Sequence, residues 1–413
     1  MIDLQTEVIL IIICTVVVMS YLFSIASRYV RVPSVLMLMG SGMLIRIAGN
    51  YVGWSVQLPQ KLIEMLGVVG LIMIVLEAGL DLKLARSKIP LVRNSLLSAT
   101  ILLALSVVSL TAVLFYALGE PLRDCLVYAI PLSIMSSAIV LPSLHPLTPE
   151  KQEFLIYEAS FSDIIGILLF NFITVNTVVD LSATIGFFAN LVVSVILSLL
   201  LSYLLFLILA RTRLNIKFFL VFSLLILLYS GGKLLHLPSL IIILVFGLMI
   251  NNWELIRWKF LQQRVSADKL SELRHLLHAV TAETSFLIRT FFFVLFGYSI
   301  DTSLLADPMV LKVGSIIVLL LFLIRFLYLR FFLRTYVFPE TFFIPRGLIT
   351  IVLYYKIPEV NKMDTFNEGI LFFVILVTSL IMTIGMVFYK KPAESLVEES
   401  QFSEHQQEAF RKS

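Results

Sequence analysis

The sequence predicts an all-α membrane protein of about 13 transmembrane helices, arranged as inverted-topology repeats with two crossed, broken helices. Three observations lead there. The 413 residues are 59% hydrophobic and only 14% charged, with a mean hydropathy of +1.00, whereas a soluble domain balances its core with a far more charged surface. Apolar runs of helical length, separated by short polar connections, fill the chain from end to end. Lys and Arg alternate in density from one connection to the next, as they do when successive loops lie on opposite sides of a bilayer.

The spans fall at 5–27, 33–50, 62–82, 94–118, 122–144, 153–178, 182–210, 217–232, 238–251, 276–299, 309–329, 340–357 and 366–389. The first opens on MIDLQTE and runs apolar for about twenty residues, so it reads as a span rather than a cleavable signal. Several of the others are shorter than the ~20 residues a straight membrane helix needs, which points to tilted or broken helices. The 32 Phe and 18 Gly suit helices that face lipid and pack closely on one another. Cys14 and Cys125 lie far apart in apolar segments and read as ordinary buried thiols, not a disulfide or a metal pair. The net charge of +4 is spread between the spans and gives no sign of nucleic-acid binding.

Of the 31 Lys and Arg residues, 21 belong to the odd-numbered connections and the C-terminal tail, 6 to the even-numbered ones, and 4 to span interiors, counting residues at span ends with the adjoining connection. The asymmetry is clearest at Lys83–Arg93, Arg211–Lys217 and Arg257–Arg274. The N-terminus is therefore expected outside and the C-terminus in the cytoplasm. Residues 252–274, NWELIRWKFLQQRVSADKLSELR, mix Trp253, Leu255, Ile256, Trp258 and Phe260 with basic residues and read as an amphipathic helix at the cytoplasmic interface. A transmembrane domain of residues 1–390 is expected, followed by a short, polar, disordered tail over 391–413.

Span 5 contains IPLSIMSSAIVLPSL, with Pro131 and Pro142, and span 12 contains IPRGLITIVLYYKIP, with Pro345, Gly347 and Pro358. Both have an Ile-Pro followed by an Ile-Val-Leu, with small or hydroxylated residues between. They lie seven spans apart, an odd offset that inverts one copy relative to the other. Paired, Pro/Gly-interrupted helices in two halves of a chain point to a transporter's binding site, because unwound backbone at membrane depth is tolerated where it lines a cavity.

Eight charged residues lie more than three positions inside a span: Glu77, Glu158, Asp163 and Glu283 against Arg46, Arg289, Arg325 and Arg346. Each isolated midplane charge costs roughly 2.5–3.5 kcal/mol on insertion scales, so pairing is expected. Glu77, Arg46 and Arg346 lie near span ends and can also snorkel. Span 6 reads YEASFSDIIGILLFNF. Glu158 and Asp163 are five residues apart, about 140° around a helix and roughly 7.5 Å along it, so they point into different sectors. Ser162 shares a face with Glu158, and Gly166 allows a crossing helix to approach. Desolvation disfavours a carboxylate and a nearby Arg favours it, so an acid beside the crossing without such a partner suits proton-coupled exchange. His145, His236, His275 and His278 all lie at or near span ends; for His275 and His278, spaced i, i+3 at the start of span 10, interfacial capping is the plainer reading than pH sensing.

These residues resemble the cation/proton antiporter superfamily, in its sodium–hydrogen exchanger-like branch. EASFSD at 158–163 is similar to that branch's Glu-x-x-x-Asn-Asp motif, with Ser162 in the Asn position. SSAIV at 136–140 resembles the Ser-Ser-Thr-Ala stretch of the potassium-efflux branch. LEAGLDLKL at 76–84, FFFVLFGYSID at 291–301 and PRGLITI at 345–351 also look typical. The resemblance covers about residues 5–390.

It implies that Asp163 is the carboxylate contested by a proton and a transported monovalent cation, with Ser162 hydrogen-bonding near the ion. Glu158 is the structural partner of a buried Arg, Arg325 being a better match than Arg330. Ser136, Ser137, Arg289 and Arg346 line the site or its broken helices. A single aspartate at the motif implies electroneutral exchange of one proton per cation. The function expected is Na⁺/H⁺ antiport by alternating access, with K⁺ the alternative cation and no cofactor. Membrane lipids and a second copy in a homodimer are the expected partners, and the cell membrane (a bacterial inner membrane) the location. A sodium-coupled organic-anion symporter of related fold, suited by four intramembrane Arg residues, and a channel or sensor are the competing readings.

Overall fold

The computed structural model describes residues 6–30, 32–52, 60–82, 88–144, 146–176, 185–186, 189–190, 192–200, 203–204, 218–234, 239–252, 267–301, 303–333 and 337–389. Among them there is no strand. Thirteen α-helices are named here in chain order: α1 Thr6–Val30, α2 Ser34–Val52, α3 Gln60–Asp81, α4 Ile89–Leu118, α5 Leu122–Ser133, α6 Ser137–Val140, α7 Pro149–Val175, α8 Phe218–Leu234, α9 Ser239–Asn251, α10 Ala267–Ser299, α11 Pro308–Tyr328, α12 Leu348–Tyr355 and α13 Glu368–Phe388. Among the described residues, six stretches are long and apolar enough to cross a membrane: Ile89–Leu118, Leu122–Ser143, Pro149–Val175, Arg274–Ser299, Pro308–Leu333 and Glu368–Phe388.

Helix ends follow local chemistry. Pro90 and Pro149 sit in the first turns of α4 and α7, where a missing N–H costs nothing. Asp307 caps α11 by accepting from Met309 N at 2.8 Å, and Asn367 caps α13 by accepting from Gly369 N at 2.8 Å. Gly119 ends α4 at φ +72°, donating to Phe115 O.

These starts explain the boundary differences. α4 and α7 each begin four or five residues before the apolar run, because a Pro and polar residues extend the helix out of the expected span. α10 begins at Ala267, so residues 267–274 are the first turns of a long helix rather than part of a separate interfacial one. The remainder of that expected helix, 253–266, lies outside the described residues, as do the tail beyond Tyr389, His145, His236 and about half of the seventh span, whose described residues 185–186, 189–190, 192–200 and 203–204 are helical.

The fifth and twelfth expected spans are both interrupted. Pro131 lies inside α5, which ends at Ser133. Ile134 and Ser136 are extended, and α6 then runs into a 3₁₀ turn at Leu141–Ser143. In the second case a 3₁₀ turn at Glu340–Phe342 leads into non-helical residues up to Gly347, where α12 starts. Pro345 cannot donate to a helical ladder.

Packing around these breaks divides between glycine-mediated and bulky contacts. A Cβ on Gly42 would come within 2.1 Å of Val294 O and one on Gly297 within 2.2 Å of Met39 O, so α2 and α10 touch backbone to backbone. Gly79 and Gly247 do the same for α3 and α9. Large rings, among them Phe154, Phe246, Phe292, Phe296 and Phe343, fill the interior. Cys125 is buried within it, while Cys14 is exposed on α1, contrary to the expectation that both are buried. Both thiols are free.

Gly297→Ala should destabilise the protein by about 1–3 kcal/mol through overpacking, read as a lowered unfolding midpoint in detergent. Gly40→Ala on the same helix pair meets nothing within 4 Å and should leave that midpoint unchanged or slightly raised.

Candidate cation site at the crossed breaks

The two interrupted segments satisfy one another's backbone. Ser136 N donates to Pro345 O at 2.9 Å. Arg346 Nε donates to Leu132 O at 2.6 Å and Nη1 to Ile344 O at 3.0 Å, so its guanidinium occupies the carbonyl end of α5, where positive charge is favoured. Arg346 N donates to Thr378 Oγ1 of α13. Met135 N donates to Ser162 Oγ at 3.0 Å. Gly347 makes the approach possible: a Cβ there would lie 2.7 Å from Ser136 Oγ. Gly166 likewise leaves room for Ile134 of the first break.

Helix α7 offers its two acids to different neighbours. Glu158, 1% exposed, meets Arg325 of α11 in a two-pronged pair, Nη2 to Oε2 at 2.7 Å and Nη1 to Oε1 at 3.2 Å. It also accepts from Ser98 Oγ of α4. Arg325 Nε donates to Glu340 O at 2.6 Å, so every arm of this guanidinium is used.

Asp163, 3% exposed, faces the first break instead. Its Oδ2 accepts from Ser137 N at 3.3 Å and from Ser137 Oγ. Its Oδ1 accepts nothing among the described residues, and no described Lys, Arg or His lies within 4.0 Å of it. Ser136 Oγ, also buried, is likewise without a partner among the described residues.

The expected acid–base pairing is only half realised. Arg289 reaches Glu77 at 3.4 Å, and Ser285 Oγ donates to the other Glu77 oxygen at 2.6 Å. Glu283 accepts from Tyr21 O–H instead of from an Arg. Arg46 donates to Tyr298 O and Ser299 O and lies 3.9 Å from Asp301. Arg346 does not snorkel; it is 4% exposed and balanced by carbonyls. His278 pairs with Asp81 at 2.7 Å. Outside the spans, hydrogen bonds from Ser303 hold the Asp301 carboxyl below its usual range.

A cavity of about 390 Å³ separates α1, α2, α3 and α10 from α6 and α7. Glu77, Asp81, Arg289 and Thr290 line one wall, and Ala138, Pro142 and Gln152 the other. Ala138 is the neighbour of Ser137, so the cavity reaches the first break from the side of these helices. A second cavity, about 20 Å³, lies across the break between Ser106, Ser133, Glu158, Ser162, Arg325 and Arg346. Ser162 thus holds the break's backbone on the Glu158 side of α7. Ser98, Thr378 and the Lys151–Glu340 contact were not singled out from the sequence. Ser98 had a readable signal: Ser95, Ser98, Leu102 and Ser106 recur at helical spacing along the buried face of α4.

Two interrupted helices crossing beside a buried carboxylate, within an all-helical, multi-spanning chain, define a secondary-transporter architecture. The model of the transmembrane sodium/hydrogen exchanger family matches residues 13–390, and the chain belongs to that family; it is a multi-pass membrane protein of the cation/proton antiporter class. Its fold is similar to a solved structure of the sodium proton antiporter MjNhaP1 from Methanocaldococcus jannaschii at pH 8, with TM-score 0.69, 18% identity, 92% of this chain covered and 100% of that one. An electron-microscopy structure of MjNhaP1 matches with TM-score 0.65 and 17% identity over 97% of this chain and 96% of that one. Among curated proteins no sequence matches significantly.

Glu158→Gln should strip Arg325 of its buried partner and cost about 3–5 kcal/mol of stability, seen as a large drop in unfolding midpoint. Ser98→Ala removes one hydrogen bond to the same carboxylate and should cost about 1–3 kcal/mol.

Proposed function

We propose that the protein exchanges a monovalent cation for a proton, one for one, with sodium favoured over potassium. The observation that carries this reading is the state of Asp163: a carboxyl buried in a membrane helix, one oxygen held by Ser137, the other without a hydrogen bond and no basic residue in contact among the described residues. A charge in that position is tolerated only when compensated. A proton compensates it covalently, and a cation does so electrostatically, but the two compete for the same oxygens. That competition is the coupling.

The oxygens available to a cation are Asp163 Oδ1 and Ser136 Oγ, both hard ligands suited to an alkali ion. Ser137 orients the carboxylate. Ser162, expected from the motif to contact the ion, acts through Met135 N to hold the break open. Glu158 and Arg325 are charge-neutral together and support α7 without taking part in exchange. With the orientation set by the Lys and Arg asymmetry, the larger cavity is the cytoplasmic path to the site. Alternating access then follows from movement of the broken helices and α7 against α1–α3 and α10, in a protein expected to work as a homodimer. The organic-anion reading loses ground because Arg46, Arg289, Arg325 and Arg346 are all engaged with carboxylates or carbonyls.

In proteoliposomes with a fluorescent pH indicator, added sodium should dequench the wild-type signal across a range of pH, and potassium less so. Asp163→Asn should abolish the response while unfolding at a similar temperature; undiminished flux in that variant contradicts the assignment. Ser136→Ala should raise the half-saturating sodium concentration about tenfold, equivalent to about 1.4 kcal/mol, with folding unaffected.

A further inference from the structure

Neither Lys151 nor Glu340 belongs to the site described above, yet they form a buried ion pair at its edge. Glu340 opens the 3₁₀ turn before the second break, and its side chain is 0% exposed; that of Lys151, in the first turn of α7, is 20% exposed. Lys151 Nζ lies 2.7 Å from Oε1 and 2.9 Å from Oε2 of Glu340, and donates to Phe338 O at 2.6 Å. The ammonium also sits 5.9 Å from the centre of the Tyr389 ring. A carboxylate this deep needs its counter-charge to be tolerated.

Their placement along α7 gives the pair more than local meaning. Lys151 and Glu158 are seven residues apart, two turns with only about 20° of offset, and Ser162 is one turn further on the same face. All three address the segment leading into the second break. Lys151 holds Phe338 and Glu340, and Glu158 holds Arg325, whose Nε is bonded to Glu340 O. Ser162 lies across a small cavity from Phe343, Ile344 and Arg346. One face of α7 is therefore a polar rail along which residues 338–346 are laid. The end of that segment carries Pro345 O, the acceptor for Ser136 N.

We propose that Lys151 and Glu340 are positioning residues for cation binding: the pair clamps the start of the segment, and through it fixes where Pro345 holds Ser136. Neither side chain touches the ion. The inference rests on the exchange reading, with Ser136 as a cation ligand. Loosening the clamp displaces Ser136 relative to Asp163 and weakens cation binding, while the proton-bearing carboxyl and the moving parts stay intact.

The test is sodium-driven proton flux in proteoliposomes, fitted for half-saturating sodium and maximal rate, with thermal unfolding of the same preparations. Lys151→Met should raise half-saturating sodium at least threefold, with the maximal rate within twofold of wild type, and Lys151→Arg should restore it. Where Lys151→Met does not fold, the double variant Lys151→Met/Glu340→Gln, which leaves no unpaired buried charge, should show the same split. A lowered unfolding temperature with half-saturating sodium unchanged makes the pair merely structural and overturns the proposal. Absence of any sodium-driven flux in the wild type refutes the exchange reading itself, a result separable from the first.

Discussion

Backbone that leaves its helix inside a membrane has no water to bond to, and every other feature of this site follows from how that demand is met. Ser136 N is taken by Pro345 O, Met135 N by Ser162, Arg346 N by Thr378, and Ser137 N by Asp163. The carbonyls of Leu132 and Ile344 are taken by the Arg346 guanidinium. An unmatched group here costs several kcal/mol, so the crossing closes on itself almost completely. Gly347 and Gly166 are the concessions in side-chain volume that let the segments meet. Among the described residues of the first break and its facing carboxylate, one oxygen of Asp163 and the hydroxyl of Ser136 have no hydrogen-bond partner. On the exchange reading, those two oxygens are the place left for the ion.

The two acids of α7 show how one helix supports opposite electrostatic solutions. Glu158 is neutralised by a two-pronged Arg and a serine hydroxyl, an arrangement that holds a permanent charge and resists change. Asp163, rotated about 140° from it, is hydrogen-bonded only by Ser137 among the described residues. Burial without a permanent counter-ion makes its charge conditional on what else is bound. The first arrangement ties the helix to α11, and on the exchange reading the second leaves a carboxylate free to trade a proton for a cation. Had both acids carried an Arg, the site would be rigid and inert.

Much of this was legible in the sequence. The paired Ile-Pro segments marked both breaks, and the five-residue spacing of Glu158 and Asp163 separated their sectors. The choice of Arg325 over Arg330 as the partner agrees with the observed contact, since it is the Arg325 guanidinium that meets Glu158 at 2.7 Å. The Arg346 environment was not legible: periodicity places a residue on a helix but does not reveal that an unwound carbonyl will replace a carboxylate as its partner. For the same reason Glu283 was expected to meet a base and meets Tyr21 instead. Glu340 and Lys151 carried no signal in the sequence, since the 3₁₀ turn that brings Glu340 to the start of α7 is not marked by any periodicity. Apolar runs also under-reported helix length at α4, α7 and α10, where polar first turns extend beyond the greasy core.

The cavity wall formed by Glu77, Asp81, Arg289 and Thr290 stands opposite the crossing, on α3 and α10, which pack backbone-close on α9 at Gly79 and Gly247 and on α2 at Gly42 and Gly297. A stiff wall facing a polar crossing suits a carrier in which one body moves against another. The central claim is that a cation and a proton compete for Asp163. Proton release on sodium addition to purified protein in weakly buffered detergent solution measures that competition directly. The account predicts about one proton released per protein bound and none from Asp163→Asn. Sodium binding by the wild type with no proton released would contradict it.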